Sequence, residues 1–308
     1  MPQTRRVDAV LLLVAIVWGS SYLAAKSATS VLPVLTVLFV RYVISALVCT
    51  VLVVSRRASR RWTREEIRAG MPLGVTQAAV LALETYGVTH TSAANAGLII
   101  SLTIVLTPLL DRADGFGRLP PAFFAAAGVC VLAVGLLMAD TGLHAPRIGD
   151  LLMLAAAVVR AGHVALVGRL TARHAVRPLH LTAVQTVVGS VLFLVPASAH
   201  SGVPAHGDAA TWGRLVYLAL FCSVFAFLAQ TWAVQRTSAS RASLLLGTEP
   251  IWAVATGIGF GGERLTVLTT LGATLMVAGT YWGQAVERAH RATVKKEIVC
   301  PDTTPTAV

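Results

Sequence analysis

Apolar positions in this chain fall into long blocks, not into strict alternation. Ten stretches of about twenty mostly apolar residues follow one another: 8–28, 33–55, 68–89, 92–112, 118–139, 149–170, 178–199, 211–235, 239–260 and 265–286. A helix needs about 20 such residues to cross a hydrocarbon core of ~30 Å. Ala, Leu and Val dominate these blocks and interior charges are few. The alternation over about ten residues that marks a membrane β-strand is missing. Pro33, Pro120, Pro178 and Pro204 sit at or near block ends, where proline disturbs a helix least. The pattern predicts an all-α polytopic membrane protein with ten transmembrane helices.

The blocks repeat. Residues 237–266, TSASRASLLLGTEPIWAVATGIGFGGERLT, lie over residues 91–120, TSAANAGLIISLTIVLTPLLDRADGFGRLP, at a constant offset of 146. Thr91 falls on Thr237, Ser92 on Ser238, Ala93 on Ala239, Leu98 on Leu244, Arg118 on Arg264 and Leu119 on Leu265. Nearer the start of each half, VDAVLLLVAIVW (7–18) lies over GDLLMLAAAVVR (149–160), placing Asp8 on Asp150 and Trp18 on Arg160. Repeats are settled before fold. Here they give an N-terminal segment 1–7, a first five-helix repeat 8–139, a linker 140–148, a second repeat 149–286 and a disordered tail 287–308. Five is odd, so the second half enters the membrane from the opposite side. Inverted repeats of this kind build secondary transporters, with the site near mid-depth between the repeats.

Composition agrees. The 308 residues are 56% hydrophobic and 13% charged, with a mean hydropathy of +0.73, against about 25% charge in soluble domains. The net charge of +11 is a matter of topology. With the N-terminus cytoplasmic and ten spans, 19 of the 25 Lys and Arg lie on the cytoplasmic side. Lys26, Arg147, Arg214 and Arg264 lie on the other, and Arg41 and Arg160 lie inside spans. This is a strong positive-inside bias. It predicts an integral protein of the cytoplasmic (cell inner) membrane with both termini cytoplasmic. Basic clusters interleaved with aromatics on a soluble domain, the mark of a nucleic-acid binder, do not occur. Arg5 and Arg6 before an apolar run could open a cleaved leader, but the run continues through Trp18 and Tyr22 to Lys26. Removing it would break the two-half symmetry. Cys49, Cys130, Cys222 and Cys300 have no CxxC spacing, which predicts neither a disulfide framework nor a zinc site.

WGSSYLAAK (18–26), VRYVISAL (40–47), HTSAANAGLIISL (90–102), GDLLMLAAAVV (149–159) and TSASRASLLLGTEPIWA followed by GERLT (237–266) carry a likeness. Over roughly residues 8–285 the chain resembles the EamA-type transporters of the drug/metabolite transporter superfamily. The resemblance implies ten helices in two inverted five-helix repeats around a central cavity, and export or exchange of small metabolites or drugs. Two positions depart from the family pattern. Ile104 stands where a proline is usual in the fourth span, and Arg160 where a Trp is usual in the sixth.

Polar residues inside a membrane are costly and therefore functional by default. Counting about ten residues from a span end reaches mid-depth. That count places Trp18, Thr103, Arg160 and Glu249 there, and offsets pair Trp18 with Arg160 and Thr103 with Glu249. These four, with Tyr22, His163 and Trp252, are the candidate substrate-binding residues. An opposed Arg160–Glu249 pair suits a zwitterionic or polar metabolite, or else simply bridges the bundle. Glu84 and Glu249 are the candidate coupling carboxylates, with protons as the coupling ion. Arg41 can snorkel outward, pair with Glu84 or meet substrate. His163 lies one turn beyond Arg160 on the same face, as a structural hydrogen-bonding partner or a proton relay. Asn95, Gln77, Gln185 and Gln230 suit interhelical hydrogen bonding. Gly19, Ser20 and Ser21 allow close helix approach, either for gating or for static packing. Gly279 and Gly283 form a GxxxG stripe for internal packing or a partner helix.

No HExxH, no GxxxxGK[ST] and no Asp pair at mid-span occurs, and nothing marks Ser20 or Ser21 as a nucleophile beside His163. The sequence thus predicts no enzyme, no cofactor and no metal. It predicts a secondary transporter, monomeric, moving a small molecule across a lipid bilayer; a non-transporting scaffold or receptor is the other class left.

Overall fold

The computed structural model describes residues 2–55, 61–91, 93–110, 119–140, 148–173, 176–199, 208–261 and 266–299. Among these residues all regular structure is helical and no strand occurs. In chain order the helices are α1 (Pro2–Thr29), α2 (Val34–Ser55), α3 (Arg64–His90), α4 (Ala93–Ile100), α5 (Thr103–Leu110), α6 (Pro121–Asp140), α7 (Ile148–Arg173), α8 (Pro178–Ala199), α9 (Ala209–Ala219), a π-helical turn (Leu220–Phe225), α10 (Ala226–Val234), α11 (Ala239–Leu246), α12 (Glu249–Gly261) and α13 (Val267–Val299). Among the described residues, five helical stretches are long and apolar enough to span a bilayer: Thr4–Thr29, Val34–Ser55, Ile148–Ala172, Pro178–Ala199 and Ala209–Val234. α13 continues to Val299, past residue 286 where the hydropathy pattern ends the last span.

The fourth and ninth apolar blocks are not continuous helices. The fourth is α4 and α5 with a break at 101–102, and the ninth is α11 and α12 with a break at 247–248. The offset of 146 maps one break onto the other, and the first residue of α5, Thr103, onto the first of α12, Glu249. Pro250 follows Glu249 in the first turn of α12, where its missing N–H costs nothing. Its counterpart Ile104 is no proline, yet the break forms there too, through short turns from Leu102 N–H to Ile99 O and from Ile104 N–H to Ser101 O. Proline is therefore not what breaks the helix in the first half. The two breaks touch instead. A Cβ on Gly247 would lie 2.2 Å from Ile104 Cδ1 and Cγ1, so the fully buried Ile104 fills the space that a side chain at 247 would need.

Packing follows the repeat. α6 packs along α13 and α2 along α8, each with its own counterpart in the other half. α3 against α7 is matched by the α9–α10 rod against α1, and α1 against α12 by α7 against α5. A main core runs through Leu11, Trp18, Leu38, Leu73, Met153 and Phe227, and a second joins Ile104, Phe123, Cys130 and Met276. The outer surface is apolar. Leu47, Leu132 and Val191 each stand more than half exposed, as a surface meeting lipid requires. The Gly279–Gly283 stripe faces inward: Cβ atoms there would meet Cys130 Sγ at 2.8 Å and Leu244 Cδ2 at 2.7 Å.

Candidate functional site: a buried charge cluster where the halves meet

Where α1, α3, α7 and α12 converge, an arginine is held between two glutamates. Arg160 donates from Nη2 to Glu249 Oε2 at 2.7 Å and from Nη1 to Glu84 Oε1 at 3.2 Å. Its Cζ lies 4.3 Å from the Trp18 ring centroid, within cation–π range. The Tyr22 hydroxyl donates to Glu249 Oε1 at 2.5 Å, so both Glu249 oxygens are engaged. The Trp18 indole N–H donates to Cys222 O at 3.0 Å. Local sequence explains the placement. Glu249 opens α12 immediately after the break, while Gly19 lets α1 approach so closely that a Cβ there would lie 2.7 Å from Glu249 O. Breaking such a pair from one side leaves a buried charge without its partner.

Trp18, Arg41, Glu84, Arg160, His163 and Glu249 line one cavity, together with Ser21, Gln77, Gln230 and three apolar residues. It measures about 20 Å³, space for roughly one water. Of the residues singled out from sequence, Trp18, Glu84, Arg160, His163 and Glu249 line it, and Tyr22 reaches it through Glu249. Thr103 is buried but does not line it. Trp252 lies outside it as well: it is three residues past Glu249, its Cβ packs on Gly19, and it lines a separate groove with Asp8 and Tyr281. His163 shares a hydrogen bond with Thr76 through Nδ1 at 2.8 Å. Arg41 neither snorkels nor forms an ion pair with Glu84 among the described residues. It is buried, with Nε donating to Ser223 Oγ at 2.7 Å and Nη2 to Cys222 O at 3.2 Å. The Asn95 side chain lies outside the described residues.

Two EamA-like transporter matches cover nearly the whole chain, residues 5–139 and 147–282. The chain belongs to the EamA-like transporter family. An uncharacterized transporter of Archaeoglobus fulgidus is 24% identical over 274 residues, covering 88% of this chain and 96% of the relative. The uncharacterized transporter YyaM of Bacillus subtilis is 28% identical over 230 residues, 70% of this chain and 72% of its own. A crystal structure at 18% identity shares the fold, with a TM-score of 0.73 over 92% of this chain and 98% of that one. The protein is thus a membrane transporter by family, with one family match per half.

In this EamA-like transporter each end of the bundle carries its own polar tie, and the ties are repeat counterparts. At the end holding the N-terminus, Arg241 donates from Nη2 to both oxygens of Asp8, at 2.8 and 2.7 Å. Its Nη1 lies 3.9 Å from Glu287 Oε2, and Ser238 Oγ donates to Glu287 Oε1 at 2.8 Å. At the opposite end Thr91 Oγ1 donates to Asp150 Oδ1 at 2.6 Å, and Lys26 Nζ donates to Thr91 O at 3.2 Å. Asp8 and Asp150, aligned from sequence, thus anchor α1 and α7 to the starts of the two broken helices. Ahead of the span 68–89, Thr63 and Glu66 form a reciprocal cap on α3. Burial pushes the Glu66 carboxyl up, but hydrogen bonds from the Arg177 side chain and from the Thr63 and Arg177 N–H groups outweigh it and hold it at about 2.

Ser21, Arg41, Gln77, Val80, Leu81, Phe227 and Gln230 line the cavity but are not among the candidate substrate or coupling residues read from sequence. Ser21, Arg41, Gln77 and Gln230 are polar within apolar blocks, so the rule that intramembrane polar residues are functional already flags them. A depth count taken only at repeat-equivalent positions discards them.

Proposed function

We propose that the protein is a secondary transporter of the cytoplasmic membrane that moves a small polar metabolite or drug by alternating access, as an exporter or exchanger. In this reading ten spans form two inverted five-helix repeats and both termini are cytoplasmic. The observation that carries it is Arg160 between Glu84 and Glu249, buried in a cavity closed to ~20 Å³ where the two halves meet. A buried ion triad in a membrane protein is expensive, and the interface of two repeats is where transporters keep such groups. The counterpart breaks in the fourth and ninth blocks support the same reading, as does helix packing that maps onto itself when the halves are exchanged.

Closed, the triad is satisfied internally. Opening one end lets substrate polar groups compete with Arg160 for Glu249, or with the glutamates for Arg160. A zwitterion replaces both halves of the pair without leaving a charge unpaired. A proton on Glu84 or Glu249 weakens its hold on Arg160 and so couples proton occupancy to release of the clamp. Trp18 then serves as an apolar wall and His163 as a hydrogen-bonding neighbour. The inward-facing Gly279–Gly283 stripe favours a monomer.

The test is flux in proteoliposomes under an imposed pH gradient. Gradient-dependent movement of a small polar solute is expected, absent from empty vesicles and from Arg160→Gln. A scaffold or receptor gives no gradient-dependent flux.

A further inference from the structure

The two buried arginines of the cavity are compensated unequally. Arg160 has two carboxylates. Arg41 is only 4% exposed, and among the described residues it has no carboxylate within 4.0 Å. Its partners are two neutral groups from the π-helical turn, Ser223 Oγ and Cys222 O. Both lie in the π-helical turn, whose hydrogen-bond ladder departs from the regular α-helical one. Ala219 O likewise accepts from Ser45 Oγ at 3.1 Å, and Cys222 O also accepts from Trp18.

The geometry of the fork matters. Nε and Nη2 form the side edge of the guanidinium, and the π-helical turn occupies that edge. Arg41 Nη1 finds no acceptor among the described residues, which leaves the Nη1/Nη2 edge open; either edge of a guanidinium can receive a carboxylate with two parallel bonds, and this is the one the turn does not occupy. Arg41 lines the central cavity. Glu84 lines the same cavity but makes no ion pair with Arg41, and a buried guanidinium without a paired carboxylate is under-compensated, so an anion entering the cavity gains here. At Arg160 it would first have to displace a glutamate.

We propose that Arg41 is the substrate-anion seat of this transporter, and that the transported molecule carries a carboxylate or comparable planar oxyanion. Arg160 is then the closing clamp and Arg41 the specificity determinant. This rests on the transport reading above and adds a class of substrate group and a residue to it.

The experiment uses the full chain in proteoliposomes loaded with a protein-free extract of small metabolites. Species lost under a pH gradient from wild-type vesicles, but not from empty ones, are identified by mass. The expected result is that every lost species carries an oxyanion group. Arg41→Gln should reduce that loss about tenfold or more at equal abundance. Arg41→Lys, which keeps the charge but not the fork, should raise the half-saturating concentration, by less than Arg41→Gln does. If Arg41→Gln is missing from the vesicles, Arg41→Lys and Ser223→Ala decide, the latter loosening the seat and again raising half-saturation. Loss of species without an anionic group, or unchanged half-saturation in these variants, overturns the assignment while leaving transport standing. Loss of no species overturns transport and this assignment together.

Discussion

Arg160 concentrates the energetics of the site in one side chain. It touches both candidate coupling carboxylates and the Trp18 ring, and its position is the repeat counterpart of Trp18. Breaking such a buried pair from one side costs about 3–5 kcal/mol, whereas removing both charges is much milder. Arg160→Gln, which strands both Glu84 and Glu249, should therefore lower membrane abundance or thermal stability in detergent more than Glu249→Gln, which leaves Arg160 with Glu84. The triple variant Glu84→Gln, Arg160→Gln, Glu249→Gln should recover most of the loss. If the cluster carries transport, the recovered triple variant stays inactive in flux. A triple variant that recovers both abundance and flux would make the cluster a bundle closure alone. A second residue-scale prediction concerns Glu66. Its folded carboxyl sits near 2, below the ordinary 4.5, so the unfolded chain binds the extra proton between those values. The stabilisation is then complete above pH ~4.5 and fades as pH falls toward ~2. Melting temperature measured against pH should show Glu66→Gln markedly less stable than wild type near neutrality, with the gap closing through that window. A gap that stays constant with pH would assign the effect to packing.

At the scale of elements, the broken helices do the positioning. The break at 247–248 brings Glu249 into the charge cluster at the start of α12, and Ile104 packs on Gly247 where the breaks meet. Gly247→Ala should lower abundance, because Ile104 is fully buried and has nowhere to move. Ile104→Ala opens a cavity and should itself cost about 2–5 kcal/mol. The double variant should be more stable than the two losses added together, as measured by thermal unfolding in detergent; strict additivity would deny the contact. These elements also mark what could be read from sequence. The apolar blocks, the offset of 146 and the pairing of Asp8 with Asp150 were all legible, because block length and repetition are properties of the chain alone. The charge cluster was legible in part. Depth counting places Trp18, Arg160 and Glu249 together, but it carries no rotational information, so it groups Thr103 with them although Thr103 does not line the cavity; Trp252, a candidate on other grounds, does not line it either. The break beside Ile104 and the π-helical turn were hidden for a different reason. Neither has a proline at the point of irregularity, and both are settled by what packs against them.

At the scale of the whole molecule, a polar tie at each bundle end flanks the central charge cluster. The Asp8–Arg241 tie is a two-pronged ion pair with Glu287 nearby, and the Thr91–Asp150 tie includes the Thr91 hydroxyl and a Lys26 contact to Thr91 O. Asp8→Asn should therefore shift the resting population toward opening at the N-terminal end, and Thr91→Val toward opening at the other. The account stands on the two ends opening in alternation, and distances between spin labels in lipid vesicles test that most directly. In a background without the native cysteines, one pair at Ser30 and Ile148 reports the Thr91–Asp150 end, and one at Arg5 and Arg236 reports the Asp8–Arg241 end. All four positions are exposed. Acidification, Asp8→Asn and Thr91→Val should each move the two distance distributions in opposite directions, one end lengthening as the other stays or becomes short. Both ends lengthening together, or neither responding to any of the three, would contradict it.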